Sequence, residues 1–272
     1  EHTKATTMHK IFIDGQAGTT GLHISERLAA HADIHVLQAD PATRKDPVAR
    51  AELLASADVA ILCLPDDAAR ESVDLAAGKT RILDASSAHR TDAAWQYGLP
   101  ELTTQSRAEI AAAQYVSNPG CYPQGFVLLV RPLIEAGLLS RDMPLRCNAV
   151  SGYSGGGRQM IEQFQAMDAN TANNLAVQSY GLDQGHKHLP EMTAFSGTLV
   201  APIFVPSVAH YDQGMLTQIP LFASELGGVS PAQVHAVLAE RYAAEPFIHV
   251  ADLGDRSMLQ GNFLNPTARN NS

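Results

Sequence analysis

"KIFIDGQAGTTG", Lys10 to Gly21, is the stretch that decides the fold of this chain. "KIFID" (Lys10 to Asp14) is a short apolar run closed by glycine, which predicts a strand buried on both faces. "GLHISERLAAH" (Gly21 to His31) then carries helical periodicity. Between them stand Gly15, Gly18 and Gly21 at three-residue spacing. A strand, glycines that let backbones approach, and a helix N-terminus form the arrangement that receives a dinucleotide pyrophosphate. The spacing is GxxGxxG and not GxGxxG, so a glycine-rich turn serving only tight packing fits the same residues.

The rhythm continues outward. "DIHVLQA" (Asp33 to Ala39) reads as a strand, "DPVARAELLASA" as a helix and "DVAILCLP" (Asp58 to Pro65) as a strand. A helix over Asp66 to Ala77 and a strand "RILDAS" (Arg81 to Ser86) follow. Strands alternating with helices predict α/β architecture, with a parallel sheet covered on both faces. After Leu145 the pattern changes to longer strands, "RCNAVSGY", "GTLVAPIFVPSVAHY" and "GMLTQIPLFA", with a helix "SPAQVHAVLAERYAAE" (Ser230 to Glu245) among them. The expected organisation is therefore a dinucleotide-binding domain over residues 8–120 and a mixed α+β domain over 121–272.

Composition bounds the function. The 272 residues are 45% hydrophobic, enough for a sizeable core. A formal charge of −9 argues against nucleic acid as a partner. No apolar stretch reaches the length of a membrane span, and "EHTKATTMHK" has no signal core, so a cytoplasmic protein starting naturally at Met8 is expected. Cys63, Cys121 and Cys147 are odd in number and widely spaced, which supports neither a disulfide framework nor a zinc site and suits a reducing compartment.

One of the three cysteines has a distinctive setting. In "SNPGCYP" (Ser117 to Pro123), Asn118, Pro119 and Gly120 make a turn and the apolar periodicity after Pro123 starts a helix. Cys121 then sits at a helix N-terminus, where negative charge is favoured. An unperturbed thiol is only about 3% thiolate at pH 7, and lowering its pKa by about two units makes roughly three-quarters thiolate. Cys63, inside "AILCLP", and Cys147, inside "LRCNAV", read as structural.

A thiolate nucleophile needs a proton-handling partner. "GHKHLPEM" (Gly185 to Met192) offers His186 and His188, which share a face if the segment is extended, with Glu191 near enough to orient one of them. HxHxxE also resembles metal-ligand spacing, but no companion motif supplies a further ligand, so no metal is expected. The other histidines read as surface or satisfied polar positions. "DASSAHR" places Ser86, Ser87 and Arg90 at the carboxyl edge of the sheet, where anions bind, and "SGYSGGGR" offers backbone amides and Arg158. Past the second strand, "DPATRKDP" places Arg44 and Lys45 where a 2′-phosphate would lie, which favours NADP over NAD.

Taken in order, "DGQAGTTG", "LPDDAA", "DASSAHR", "YGLPEL", "SNPGCYPQG", "SGYSGGGR" and "GHKHLPEM" resemble the short bacterial N-acetyl-γ-glutamyl-phosphate reductases, over about residues 9 to 267. The resemblance implies a Rossmann domain joined to a catalytic and oligomerisation domain like those of aspartate-semialdehyde and glyceraldehyde-phosphate dehydrogenases. It implies NADPH-dependent reduction of an acyl phosphate in arginine biosynthesis. Cys121 would form a thioester, hydride would convert this to a thiohemiacetal, and N-acetylglutamate semialdehyde would leave. His186 is the expected acid/base, with His188 in reserve. Ser86, Ser87 and Arg90 would clamp phosphate, while Arg158 and Glu191 would face the substrate. Gly15, Gly18, Thr19, Thr20, Gly21 and Pro65 would hold the cofactor together with Arg44 and Lys45. The expected partners are this small acyl phosphate and further copies of the chain, as a dimer or tetramer. Family members continue past "LNPT" with a further strand and helix, whereas this sequence stops at "ARNNS". An aspartyl-phosphate reductase, a dinucleotide-binding module without turnover and, more weakly, a cysteine/histidine acyl hydrolase are the competing readings.

Overall fold

The structure, a computed structural model, describes residues 8–16, 19–255, 259–260 and 263–264, with backbone only for 19, 20, 22, 23, 173 and the last four. The chain divides into two compact units, Glu1–Pro100 with Gln105–Pro119, and Glu101–Thr104 with Gly120–Ser272. The short return Glu101–Thr104, assigned by its contacts to the second unit, has no counterpart in the boundary expected from sequence.

The first unit runs β1 (His9–Asp14), α1 (Thr19–Leu28), β2 (Ile34–Leu37), α2 (Pro47–Ser56), β3 (Val59–Leu62), α3 (Asp66–Ala76), β4 (Arg81–Asp84), β5 (Gln96–Tyr97), α4 (Ser106–Ala112) and β6 (Tyr115–Ser117). The six strands form one sheet in the order β2-β1-β3-β4-β6-β5, and every pairing is parallel. Side chains of β1 alternate between two cores. Phe12 joins Leu54 of α2 and Ala69 of α3 on one face, while Ile11 and Ile13 meet Ile24 and Leu28 of α1 on the other. This two-sided burial is why "IFI" carries no polar alternation.

Local chemistry sets the helix starts. Asp46 caps α2 through its carboxylate, which accepts from the amides of Val48 and Ala49, and Pro47 supplies a pre-set first helical residue. Because β2 and β3 flank β1 on opposite sides, the direction of winding reverses there. The carboxyl ends of these strands are therefore the expected ligand crevice.

The second unit comprises α5 (Cys121–Glu135), β7 (Arg146–Gly152), α6 (Gly157–Gln165), α7 (Ala169–Asn174), β8 (Val177–Ser179), α8 (Leu189–Ser196), β9 (Ile203–Ala209), β10 (Met215–Gln218), α9 (Pro231–Tyr242), β11 (Leu259–Gln260) and β12 (Phe263–Leu264). Its main sheet, ordered β10-β7-β9-β8, is mixed: β7 and β9 are parallel, and the two edges are antiparallel. α5 buries Tyr122, Phe126, Val130 and Leu133 against Cys147, Met192 and Phe204. Phe126 is fully buried. Truncating it to alanine would cost about 3–5 kcal/mol.

Two expectations need correction here. The long strand read over "GTLVAPIFVPSVAHY" shortens to β9, because β7 offers partners only from Arg146 to Gly152, matching Ile203 to Ala209. "HKHLPEM" is not extended. His188 takes helical dihedrals at the N-cap of α8, and Pro190 lies in the first turn.

Candidate active site

The turn after β6 delivers the nucleophile. Pro119 is the last residue of the first unit and Gly120, at the N-cap of α5, resumes the second. Cys121 is the first helical residue and is exposed. Pro123 falls within the first turn, where its missing amide proton costs no helical hydrogen bond. The other two thiols contrast with Cys121. Burial, then the nearby carboxylates of Asp84 and Asp14, pushes the Cys63 thiol up to about 11. Burial alone pushes Cys147 up to about 12. Such thiols are poor nucleophiles at neutral pH.

Four rings gather at this helix end. Tyr122, next to Cys121, donates its hydroxyl toward Ser151 Oγ at 2.8 Å and the Ser207 carbonyl at 3.0 Å. Its ring meets that of His188 edge-on, with centroids 5.9 Å apart. His188 and His186 rings lie 4.6 Å apart, and the His186 ring lies 5.7 Å from that of Tyr180. The Tyr180 and Tyr122 hydroxyls are hydrogen-bonded, and negative charge on Cys121 reaches both. The Tyr180 hydroxyl is held above its ordinary pKa, first by burial and more weakly by that Cys121 charge, so it is a proton-bearing donor at neutral pH. Neither tyrosine was singled out from sequence, since a tyrosine beside a cysteine, or six residues ahead of a histidine, has no recognisable spacing.

The imidazole of His186 has a defined state. Its Nδ1 accepts from the backbone N–H of His188 at 3.1 Å, so that nitrogen is unprotonated and the ring proton sits on Nε2. Burial, with the like charge of Lys187 second, holds its pKa below the ordinary value. His186 is thus a neutral ring with a donating Nε2–H. His188 is buried, at 6% exposure.

Glu191 was expected to orient a histidine or face the substrate. Only 1% exposed, it accepts from the amide of Gly120 at 2.7 Å and so anchors the residue immediately before Cys121.

The loop after β4 is likewise tied into the fold. Asp84 accepts from the amide and hydroxyl of Ser86 and pairs with His89 Nδ1 at 2.7 Å, while the His89 ring stacks on Trp95. Ser87 donates from both amide and hydroxyl to Asp66. Both serine hydroxyl protons are therefore engaged by carboxylates. Arg90 donates to the carbonyls of Asn118 at 3.0 Å and Ala85 at 3.3 Å, linking this loop to the turn that leads to Cys121. Arg158 lies 69% exposed on α6, paired with Glu162 one turn on.

Within the first unit, a cavity of about 760 Å³ opens at the ends of β1, β2 and β3. Gly15 and Gln16 line it, with Arg44 and Lys45 on the connection after β2, and Arg50 and Glu71 on α2 and α3. Gly15 has φ +92°, and a Cβ there would strike the Cys63 carbonyl. A Cβ on Gly21 would come within 2.6 Å of the Gly15 carbonyl oxygen. The glycine cradle and the basic rim fit a phosphorylated dinucleotide. Pro65 caps α3 one residue after Leu64, which lines the same cavity. Gly18 and the side chains of Thr19 and Thr20 lie outside the described residues. In the cavity wall, Arg50 bridges Asp14 at 3.0 Å and Glu71 at 3.2 Å, and Ser72 donates to the same Asp14 oxygen. Among the described residues there is no group of three or more side chains able to hold a metal ion, and no helix is long and apolar enough to cross a membrane.

Comparison with known proteins agrees with this division. Residues 10–112 match the semialdehyde dehydrogenase NAD-binding domain, and residues 121–265 the semialdehyde dehydrogenase dimerisation domain. An N-acetyl-gamma-glutamyl-phosphate reductase of Trichormus variabilis is 49% identical over 267 residues, covering 96% of this chain and 83% of that protein. Its counterpart in Brucella suis is 50% identical over 255 residues, covering 92% and 82%. Among solved structures, aspartate semialdehyde dehydrogenase of Francisella tularensis shares the fold at a TM-score of 0.65 and 13% identity, over 97% of this chain and 88% of that one. A probable aspartate-semialdehyde dehydrogenase of Pseudomonas aeruginosa gives 0.63 and 16%, over 89% and 81%. With half of its residues identical to such relatives over nearly its whole length, the chain belongs to the N-acetyl-gamma-glutamyl-phosphate reductase family.

Proposed function

We propose that this chain reduces N-acetyl-γ-glutamyl phosphate to N-acetylglutamate semialdehyde and phosphate in arginine biosynthesis, with Cys121 as nucleophile. The observation that carries the reading is the exposed cysteine at the first position of α5, set among two tyrosine hydroxyls and two imidazoles.

The Cys121 thiolate attacks the acyl carbon. A C–S bond forms, the C–O bond to phosphorus breaks, and phosphate departs with the electron pair, leaving a thioester. When bound, NADPH supplies the hydride that reduces this thioester carbonyl. The Tyr180 hydroxyl and His186 Nε2–H donate to the developing oxyanion, where preorganised donors act most strongly. On collapse the oxyanion re-forms a carbonyl, the C–S bond breaks, and the thiolate is restored. His188 is the second imidazole available for proton exchange with solvent. Arg90 holds the turn ahead of Cys121 and offers positive charge to the leaving phosphate, while Arg158 on its exposed helix meets the substrate carboxylate. Gly15, Gly18, Thr19, Thr20, Gly21, Pro65, Arg44 and Lys45 hold the cofactor. We place the enzyme in the reducing cytoplasm, as a homo-oligomer formed through the domain over residues 121–265.

An aspartyl phosphate substrate has less support. The aspartate-semialdehyde dehydrogenases are similar at 13–16% identity, against 49–50% for the reductases. The test is phosphate-dependent reduction of NADP⁺ by N-acetylglutamate semialdehyde, run beside aspartate semialdehyde. Turnover of the first and not the second is expected. Preference for the second, or no turnover of either, would overturn the assignment.

A further inference from the structure

We propose that His89 is a positioning residue for the nucleophile: bonded to the buried Asp84, it locks the loop after β4 so that Arg90 holds the turn leading to Cys121. The inference rests on the reading that Cys121 is the nucleophile, and it adds a residue that acts through Arg90 and not on the reacting atoms.

The loop starts at Asp84, the last residue of β4, which is fully buried. A carboxylate there needs donors around it, and three converge. Ser86 donates its amide to Oδ1 at 2.9 Å and its hydroxyl to Oδ2 at 2.7 Å, while Ser86 Oγ in turn accepts from the Ala88 amide at 3.1 Å. His89 Nδ1 stands 2.7 Å from the same Oδ2, and toward an acceptor-only carboxylate that nitrogen carries the proton. The His89 ring, 6% exposed, stacks on Trp95 with centroids 4.1 Å apart and planes 12° apart, and Trp95 stacks on Tyr115 of β6 at 5.0 Å. The imidazole is thereby fixed both in the direction of its bond and in its plane.

The consequence falls on its neighbour. Arg90 Nε donates to the Asn118 carbonyl at 3.0 Å, and Nη2 to the Ala85 carbonyl at 3.3 Å. The Asn118 amide donates to the Asp84 carbonyl at 2.7 Å. Both backbone polar groups of Asn118 are therefore bonded to the stretch from Asp84 to Arg90, three residues ahead of Cys121. The guanidinium spans the Ala85 and Asn118 carbonyls only while this loop stays closed, and the bond from His89 to Asp84 closes it at the Arg90 end.

The experiment separates the hydrogen bond from the stack. His89→Asn keeps an N–H donor where Nδ1–H stands, His89→Phe keeps a ring against Trp95 without the donor, and His89→Gln carries its amide past Asp84. Each full-length variant is read by kcat for phosphate-dependent reduction of NADP⁺ by N-acetylglutamate semialdehyde and by the rate of iodoacetamide labelling of Cys121. Thermal unfolding checks that each is folded at the assay temperature. His89→Phe and His89→Gln should lose about ten- to a hundredfold in kcat, the cost of a reacting group misplaced by on the order of 1 Å, while His89→Asn stays within about threefold of wild type. Labelling of Cys121 should slow in the same order. A role in packing alone gives the reverse order, with the phenylalanine variant best. Wild-type kcat in His89→Phe, an equal loss in His89→Asn, or failure of both the phenylalanine and glutamine variants to fold overturns the positioning role and leaves the reductase assignment standing. A wild-type protein that does not turn over the semialdehyde, or whose turnover survives full labelling of Cys121, overturns both.

Discussion

Glu191 accepts a hydrogen bond from the amide of Gly120 at 2.7 Å, so a fully buried carboxylate on α8 fixes the residue that precedes the nucleophile on α5. Glu191→Ala leaves the Gly120 N–H buried without this acceptor, at a cost of about 1–3 kcal/mol. Glu191→Gln keeps an acceptor at the same reach. Thermal unfolding should show a lowered Tm for the alanine variant and a smaller change for the glutamine one, with kcat following the same order. Equal loss in both would mean that the charge of Glu191, and not its hydrogen bond, is what matters.

Alkylation should separate the three cysteines. A thiol whose pKa lies near 11 is only on the order of 0.03% thiolate at pH 7.5. Iodoacetamide should therefore label Cys121 well before Cys63 and Cys147, read by peptide mass spectrometry, and activity should fall in step with that label. Cys121→Ser should lower reductase turnover by at least about 10³-fold.

His186 should titrate below its ordinary value of 6.5, because burial and then Lys187 oppose its charged form. A histidine with a depressed folded pKa is protonated more readily in the unfolded chain. It therefore contributes stability that is complete above pH 6.5 and declines as the pH falls below that value. The acid limb of kcat/KM should correspondingly lie below pH 6.5. Lys187→Gln removes the like charge and should move that limb upward, whereas a limb unmoved by this change would separate His186 from the chemistry.

Asp14 and Arg50 are 5% and 7% exposed and joined at 3.0 Å. Removing one member of a buried pair strands the other charge, so Arg50→Leu should destabilise the protein by about 3–5 kcal/mol. Chemical denaturation measures this directly. Replacing both residues with apolar ones of similar size should recover much of the loss.

On the rim of the same cavity, Arg44→Ala should weaken NADPH binding about tenfold and NADH binding little, the difference expected from one lost charged contact to phosphate. Identical behaviour toward the two cofactors would remove the 2′-phosphate from this rim.

Much of the architecture was written in local pattern. The run "KIFID" and the capped helix from Asp46 announce themselves because burial on both faces and first-turn chemistry depend on adjacent residues. The β9 strand could not be bounded that way, since its ends are set by where β7 stops offering partners. Nor could the state of "HKHLPEM". An extended piece and the entry to a helix share that composition, and packing of α8 against α5 chose the helix.

By itself, the sequence determined the α/β rhythm of the first unit, the glycine cradle and the placement of Cys121 at a helix start, because each depends on residues within a few positions of one another. Only the tertiary structure decided that Glu191 serves Gly120, that Ser87 is bound by Asp66, and that Tyr180 joins the cysteine. Those pairings span as many as 71 residues. No spacing encodes them, because a side chain's partner is fixed by which helices and strands share a core.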